Sequence, residues 1–192
     1  MEKSFYNKKV LLYSGGMDSW LIDKLWKPDV KLFVKIGTNN NKEELKRLPK
    51  DVIIRELPLA DQEFPEMNFY VPLRNLLLVE LASYYGDIIC LGAMNEPRAN
   101  DNTLEFAQKT EDILNFLWKY RHPERNIKVV LPFVDKTKSE LLQMYINAGG
   151  DIEEAFSESF SCFTPTADGK ECGTCISCIS KREAFAKVGY KI

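Results

Sequence analysis

Two clusters of residues in this chain have the types and spacing to do chemistry. The first is Ser14-Gly15-Gly16-Met17-Asp18-Ser19, directly after the apolar run Val10-Leu11-Leu12-Tyr13. Two adjacent glycines let the backbone turn successive N–H groups toward one point. A helix starting there adds the partial positive charge of its N-terminus. The Ser14 and Ser19 hydroxyls can donate to phosphate oxygens. The Asp18 carboxylate repels phosphate, so it suits a Mg²⁺ ion or a helix cap. The plainer alternative is a tight strand-to-helix turn with Asp18 or Ser19 as N-cap. The whole string, placed after the first apolar strand, predicts nucleotide-phosphate binding. The chain contains no Gly-Lys-Ser/Thr of the Walker type.

The second cluster is Cys162-x9-Cys172-x2-Cys175-x2-Cys178, which places four of the five cysteines in the last 31 residues. Each Cys-x2-Cys step brings two sulfurs to one tetrahedral centre, and four thiolates leave no open position, which describes a structural Zn²⁺ site. Gly173 supplies the tight turn of such a knuckle. An iron–sulfur cluster is the alternative, but no Pro follows the last Cys. Cys90 stands alone in an apolar run and reads as inert core.

Strands and helices alternate around these clusters. Val10–Tyr13, Val30–Ile36, Val52–Leu57, Asp87–Gly92 and Ile127–Leu131 read as strands. Met17, Trp20, Leu21 and Leu25 share one helix face, and Pro28 ends that helix. Asn41–Leu48 is a short helix with a Glu43/Arg47 pair outward. Leu73, Leu77, Leu81 and Tyr85 recur every fourth residue and predict a helix that buries this face. Leu104–Tyr120 is expected to turn Phe106, Ile113, Leu114, Leu117 and Trp118 inward. Thr137-Lys138-Ser139-Glu140 is a capping box that opens a helix stopped by Gly149-Gly150. Asp61–Asn68 and Asn95–Thr103 read as loops, and a short helix at about Ile179–Lys187 closes the chain.

The predicted fold is therefore α/β: a doubly wound, mostly parallel five-stranded sheet with helices on both faces and a small C-terminal zinc-binding segment. Residues 1–156 form the expected nucleotide domain and 157–192 the zinc-binding tail packed on it. Ligands bind beyond the carboxyl ends of such strands, which selects Ser14–Ser19, Gly37–Asn41, Gly92–Thr103 and Pro132–Lys138.

Composition narrows the function classes. The 192 residues carry 26 Lys+Arg against 28 Asp+Glu, a net charge of −2, which argues against a broad polyanion-binding face. No apolar run approaches membrane-spanning length. The first residues, Met1-Glu2-Lys3-Ser4-Phe5-Tyr6, do not form a secretory leader. A cytoplasmic protein with reduced thiols is expected. The single histidine, His122, reads as a solvated charge at a helix end, and Trp20, Trp26 and Trp118 read as packing.

The Ser14–Ser19 string resembles the pyrophosphate-binding loop of the N-type ATP pyrophosphatases (PP-loop enzymes). Together with other blocks it resembles the 7-cyano-7-deazaguanine synthase family across most of the chain. Those blocks are Tyr70-Val71-Pro72-Leu73-Arg74-Asn75, Asp135–Glu140, Ser161-Cys162 and Cys172-Gly173-x-Cys175-x2-Cys178 with Arg182. The resemblance implies an ATP-dependent carbon–nitrogen ligase. Such an enzyme adenylates the carboxylate of 7-carboxy-7-deazaguanine, forms the amide with ammonia and dehydrates it to the nitrile, for queuosine or deazaguanine-modified nucleic acid.

The implied cofactors are ATP, Mg²⁺ and Zn²⁺. The implied partners are the 7-deazaguanine acid and ammonia, with no direct nucleic acid or membrane contact and with a homodimer as a candidate assembly. Asp18, Arg74 and Lys138 become the catalytic candidates. Tyr13, Ser14, Gly15, Gly16, Met17, Asp18, Ser19 and Gly92 become nucleotide contacts, and Asn75, Asn95 and Asp101 contact the acceptor. Cys162, Cys172, Cys175 and Cys178 become the metal ligands.

One segment departs from the family pattern. After the fourth strand this chain reads Gly92-Ala93-Met94-Asn95-Glu96-Pro97-Arg98-Ala99-Asn100-Asp101-Asn102-Thr103, without the family's Ser-Gly-Tyr-Pro portion. Stacking against the acceptor is then expected from Phe69 or Tyr70. The alternatives are a divergent PP-loop ligase that stops at the amide or uses another acid, and a zinc-knuckle binding module without catalysis. ATP binding separates the last from the others.

Overall fold

The computed structural model describes residues 6–38, 41–62, 64, 71–95 and 100–191. The stacking expectations for Phe69 and Tyr70 and the segment 96–99 lie outside the described residues. In chain order the elements are β1 (Lys9–Leu12), α1 (Met17–Trp26), β2 (Val30–Lys35), α2 (Asn41–Arg47), β3 (Val52–Glu56), α3 (Arg74–Ala82), β4 (Ile88–Cys90), α4 (Leu104–Trp118), β5 (Lys128–Val130), α5 (Lys138–Asn147), α6 (Ile152–Glu158) and α7 (Ile176–Lys187). Short 3₁₀ turns occupy Ala60–Gln62 and Asn100–Asn102.

The five strands form one parallel sheet in the order β3-β2-β1-β4-β5. Val10 stands beside Val30 on one side and Ile89 on the other. Alternation along the strands divides the core between the two faces. Leu11 and Cys90 face α1, α5 and α7, where Trp20, Leu21, Leu141, Leu142, Ala184 and Phe185 are buried. Val10 and Ile89 face α3 and α4, where Val79, Ala82, Ala107 and Leu114 are buried. The chain winds outward from β1 through β2 to β3, then returns to the other side of β1 as β4. The connections diverge between β1 and β4, which opens a crevice at their carboxyl ends.

Two expectations about helix faces are corrected. In α4, Ile113 and Leu117 are 51% and 62% exposed, while Ala107, Thr110 and Leu114 are buried. Polar bonds to the edge strand set the rotation of this helix. Asn115 donates from its amide nitrogen to the Ile127 carbonyl at 2.9 Å and accepts the Ile127 N–H at 2.8 Å. Glu111 accepts the Val129 N–H at 3.1 Å. Buried backbone groups need such partners, so Glu111 and Asn115 must face β5, and Ile113, Phe116 and Leu117 turn to solvent while Trp118 packs on the core.

In α3, Leu73 does not join the inward series. It is 64% exposed and precedes the helix in the left-handed conformation, at φ 59°. The buried positions are Asn75, Val79 and Ala82, and the polar Asn75 begins that stripe. The final helix also starts earlier than its apolar spacing indicates, at Ile176, directly after Cys175 as N-cap.

Candidate functional site

β1 delivers the chain to the Ser14–Ser19 loop. The Tyr13 N–H still bonds to the Leu32 carbonyl at 2.9 Å, and the Tyr13 ring is buried in the core, where desolvation pushes its phenol pKa up. Gly15 then takes φ +77°, a conformation L side chains rarely adopt, and the backbone turns into α1. Met17 packs its side chain in the core, leaving its N–H to the loop. Gly16 is the N-cap and brings no side-chain cap of its own.

Four successive N–H groups are held by serine hydroxyls. Ser19 Oγ accepts from Ser14 and Gly15 at 3.2 and 3.1 Å. Ser14 Oγ accepts from Gly16 at 3.2 Å, and Ser161 Oγ accepts from Met17 at 3.0 Å. The donors of Ser14, Gly15 and Gly16, directly before the first turn of a helix, could hold an anion whose oxygens replace the Ser14 and Ser19 hydroxyls as acceptors.

Lys138 comes to the same place from β5. The expected capping box is present: Thr137 Oγ1 accepts the Glu140 N–H, and the Glu140 carboxylate accepts the Thr137 N–H at 2.8 Å. That box fixes the first turn of α5 and presents Lys138, whose Nζ lies 2.5 Å from Asp18 Oδ2. Asp18 Oδ1 is buried and has no hydrogen-bond partner among the described residues. An ionised oxygen in that position suits a cation ligand better than a helix cap. Asp135 stands apart. It is exposed and pairs with Lys136 at 2.7 Å, which holds its carboxyl below the usual carboxylate range.

The β4 connection begins at half-buried Gly92, where an added Cβ would meet Ile22 Cδ1 at 3.6 Å. Asn95 is exposed, and its N–H donates to the Lys136 carbonyl at 3.0 Å, tying the β4 and β5 loops together. Asn75 is buried at the start of α3. Its amide nitrogen reaches Asn102 Oδ1 at 2.9 Å and the Asp101 carbonyl at 3.3 Å. Arg74 Nε donates to Asn75 Oδ1 at 3.3 Å. Arg74 and Asn75 therefore brace the turn that carries half-buried Asp101.

The four tail sulfurs lie within 4.8 Å of one another. Cys175 and Cys178 Sγ are 3.5 Å apart, and Cys172 and Cys178 are 3.9 Å apart. Tetrahedral zinc with bonds of about 2.3 Å needs sulfurs separated by roughly 3.8 Å, so the donor set fits this ion. The Thr164 hydroxyl, with the N–H groups of Thr174 and Cys175, lowers the pKa of the Cys172 thiol, while burial raises those of Cys162 and Cys178. Gly173 takes φ +75° and its carbonyl accepts from Arg182 at 3.3 Å.

Ser161, Glu171 and Lys181 join the site with little local signal of their role. Ser161 stood beside a cysteine with nothing in its surroundings to link it to residue 17. Lys181 is buried in α7 and donates to the Ser159 carbonyl at 2.6 Å and to Glu171 at 3.2 Å. A lysine at a helical inward position beside two cysteines was the available signal. Among the described residues, no helix is long and apolar enough to cross a membrane.

The curated relatives include 7-cyano-7-deazaguanine synthases from Citrifermentans bemidjiense, Rickettsia prowazekii and Chlorobaculum parvum. The first is 27% identical over 149 residues, covering 74% of this chain and 60% of the relative. The second is 28% identical over 125 residues, covering 62% of this chain and 53% of the relative. The third is 26% identical over 223 residues, covering 95% of this chain and 93% of the relative. The first two matches thus span little more than half of those proteins. The family model described as queuosine biosynthesis protein QueC matches residues 29–189, and the chain belongs to that family.

Proposed function

We propose that this protein is an ATP-dependent carbon–nitrogen ligase that converts 7-carboxy-7-deazaguanine to 7-cyano-7-deazaguanine. The carrying observation is the meeting of Lys138 with Asp18 at the start of α1, with the second Asp18 oxygen buried and unpartnered. In the first half-reaction a carboxylate oxygen of the acceptor attacks the α-phosphorus of ATP. The bond to the β-phosphate bridging oxygen breaks, and pyrophosphate leaves. Ammonia then adds to the acyl carbon, loses a proton, and AMP departs to give the amide. A second ATP activates the amide oxygen in the same way, and loss of AMP and the two nitrogen protons gives the nitrile.

The chain's residues serve this sequence by position and charge. The N–H groups of Ser14, Gly15 and Gly16 hold the departing pyrophosphate, while the Met17 N–H stays with Ser161. Lys138 and Arg74 offset developing phosphate charge, and Gly92 keeps the β4 side of the crevice open to the nucleotide. Asp18 is the residue to hold Mg²⁺, which supplies Lewis-acid neutralisation of the phosphates. Asp101 accepts the N1–H and amino protons of the deazaguanine ring, and Asn95 serves its carbonyl. Asn75 acts on the acceptor through the Asp101 turn it braces. The four thiolates hold Zn²⁺ as a structural ion, so residues 157–192 carry no step of the chemistry themselves. Nucleic acid is not a direct partner in this reading.

Incubation with ATP, Mg²⁺, ammonium and 7-carboxy-7-deazaguanine, followed by mass spectrometry, tests the proposal. AMP, pyrophosphate and the nitrile are expected. Amide alone places the chain with ligases that stop at the first half-reaction. ADP and phosphate with a working acceptor overturn the role given to the loop.

A further inference from the structure

Neither the phosphate chemistry nor the metal chemistry accounts for where Ser161 sits. Its hydroxyl accepts the Met17 N–H at 3.0 Å across 144 positions of sequence. Beside it, the Phe160 N–H donates to the Gly15 carbonyl at 2.9 Å. A Cβ placed on Gly16 would stand 3.8 Å from both the Phe160 carbonyl oxygen and Ser161 Oγ. The strand of tail at Phe160–Ser161 is therefore one wall of the loop.

The other side of that wall is fastened to the thiolate cluster. Ser161 precedes the ligand Cys162, and its carbonyl oxygen lies 3.3 Å from Cys178 Sγ. Its N–H donates to Glu171, which also receives buried Lys181. Arg47 covers the Phe160 ring at 4.2 Å and donates to the Gly169 carbonyl at 2.7 Å. Ser161 cannot move without disturbing either the cysteines or the first turn of α1. Conversely, a tail freed of its metal withdraws the acceptor from Met17, one of the helix-end N–H groups with no intrahelical partner. It also withdraws the donor that holds Gly15 at positive φ.

We infer that Ser161 is a positioning residue of the phosphate loop, through which the thiolate-bound metal sets the loop's affinity for the nucleotide. This rests on the nucleotide reading of Ser14–Ser19. The coupling is reciprocal by linkage: if metal strengthens nucleotide binding, nucleotide must strengthen metal binding by the same factor.

The test uses the full-length, zinc-loaded protein and two readouts. Calorimetric titration with ATP and Mg²⁺, without acceptor, compares the wild type with Ser161→Ala and Ser161→Thr. Ser161→Ala is expected to bind about tenfold more weakly, the scale of one lost hydrogen bond in a charged site, with its zinc content intact. Ser161→Thr keeps the hydroxyl and is expected to recover most of that affinity. The equilibrium share of zinc lost to a coloured chelator is the second readout. Saturating ATP should tighten zinc binding by the wild type by a similar factor and change that of Ser161→Ala little.

Affinity of Ser161→Ala within twofold of wild type overturns the inference, as does a wild-type zinc affinity that ATP leaves unchanged. The second outcome needs no variant and stands even if Ser161→Ala folds poorly. A wild type that binds no ATP at all instead removes the nucleotide reading beneath it.

Discussion

Lys138 Nζ and Asp18 Oδ2 lie 2.5 Å apart although 120 positions separate them in the chain. The contact joins the first turns of two helices, α1 and α5, that pack on the same face of the sheet. One follows the central strand and the other the edge strand β5, so the sheet order brings them together. The pair is partly accessible, with side-chain exposures of 15% for Lys138 and 29% for Asp18. An arriving triphosphate can therefore reach both groups. In the proposed reaction Lys138 would exchange a carboxylate for phosphate, leaving Asp18 to take a cation.

Asp18→Asn tests that exchange. The amide keeps the volume but carries no charge for Lys138 or for Mg²⁺. The rate of AMP and pyrophosphate release is expected to fall about 100-fold, the scale of losing one charged group from a preorganised site. Stability should change by no more than about 1 kcal/mol, because part-exposed ion pairs contribute little. Steady-state kinetics beside a thermal melt checks both. A wild-type turnover rate would remove Asp18 from the catalytic set.

The metal prediction concerns stability. One zinc per chain is expected, with apparent binding free energy on the order of 10 kcal/mol that acts as folding energy for the tail. Cys175→Ser should lose the ion, expose residues after Ser157 to protease, and lower the melting temperature. Elemental analysis of fresh protein measures the first directly. Iron with sulfide, or no metal, would contradict a structural zinc site.

Asp87 gives a contrast, because its role is structural. It is buried, and accepts Arg125 Nε at 2.8 Å and the Asn7 N–H at 2.9 Å. Arg125 in turn donates to the Ser83 carbonyl at 2.7 Å, so the pair ties the ends of α3 and α4 to the start of β4. Asp87→Ala strands a buried guanidinium and should cost about 3–5 kcal/mol in denaturant unfolding. ATP affinity of the folded fraction should stay at the wild-type value.

The parts of this fold legible in the sequence are those governed by local rules. The capping box at Thr137, the Glu43/Arg47 pair at 3.2 Å and the five strands follow from neighbours within a few residues. The rotation of α4 was not legible, because the bonds from Asn115 and Glu111 to β5 outweigh the apolar spacing of Ile113 and Leu117. Leu73 failed for a similar reason: buried Asn75 begins the stripe, and the residue before Arg74 leaves the helix at positive φ. At the site, the loop and the cysteines announce themselves by type and spacing. Their junction through Ser161 does not, since a serine 144 positions from its partner carries no local signal.

The last prediction concerns the acceptor. Asp101 sits in the short turn Asn100–Asn102, held from below by the Asn75 amide and at its exit by Thr103, whose hydroxyl donates to the Asn100 carbonyl at 2.9 Å. A carboxylate there can take two protons from a guanine-type edge, and charged hydrogen bonds of this kind contribute about 1.5–3 kcal/mol each. Asp101→Ala removes both and should therefore weaken binding of 7-carboxy-7-deazaguanine by roughly 100- to 10,000-fold, while ATP binding stays normal. Asn75→Ala leaves the carboxylate in place but loosens the turn, so its loss should be smaller and should appear mainly in the acceptor's KM. Calorimetry with each ligand separately distinguishes the two variants. Equal acceptor affinity for wild type and Asp101→Ala would move the pocket away from this turn. Equal losses for ATP and acceptor would mean that the turn supports the fold of the whole crevice instead of reading the ring.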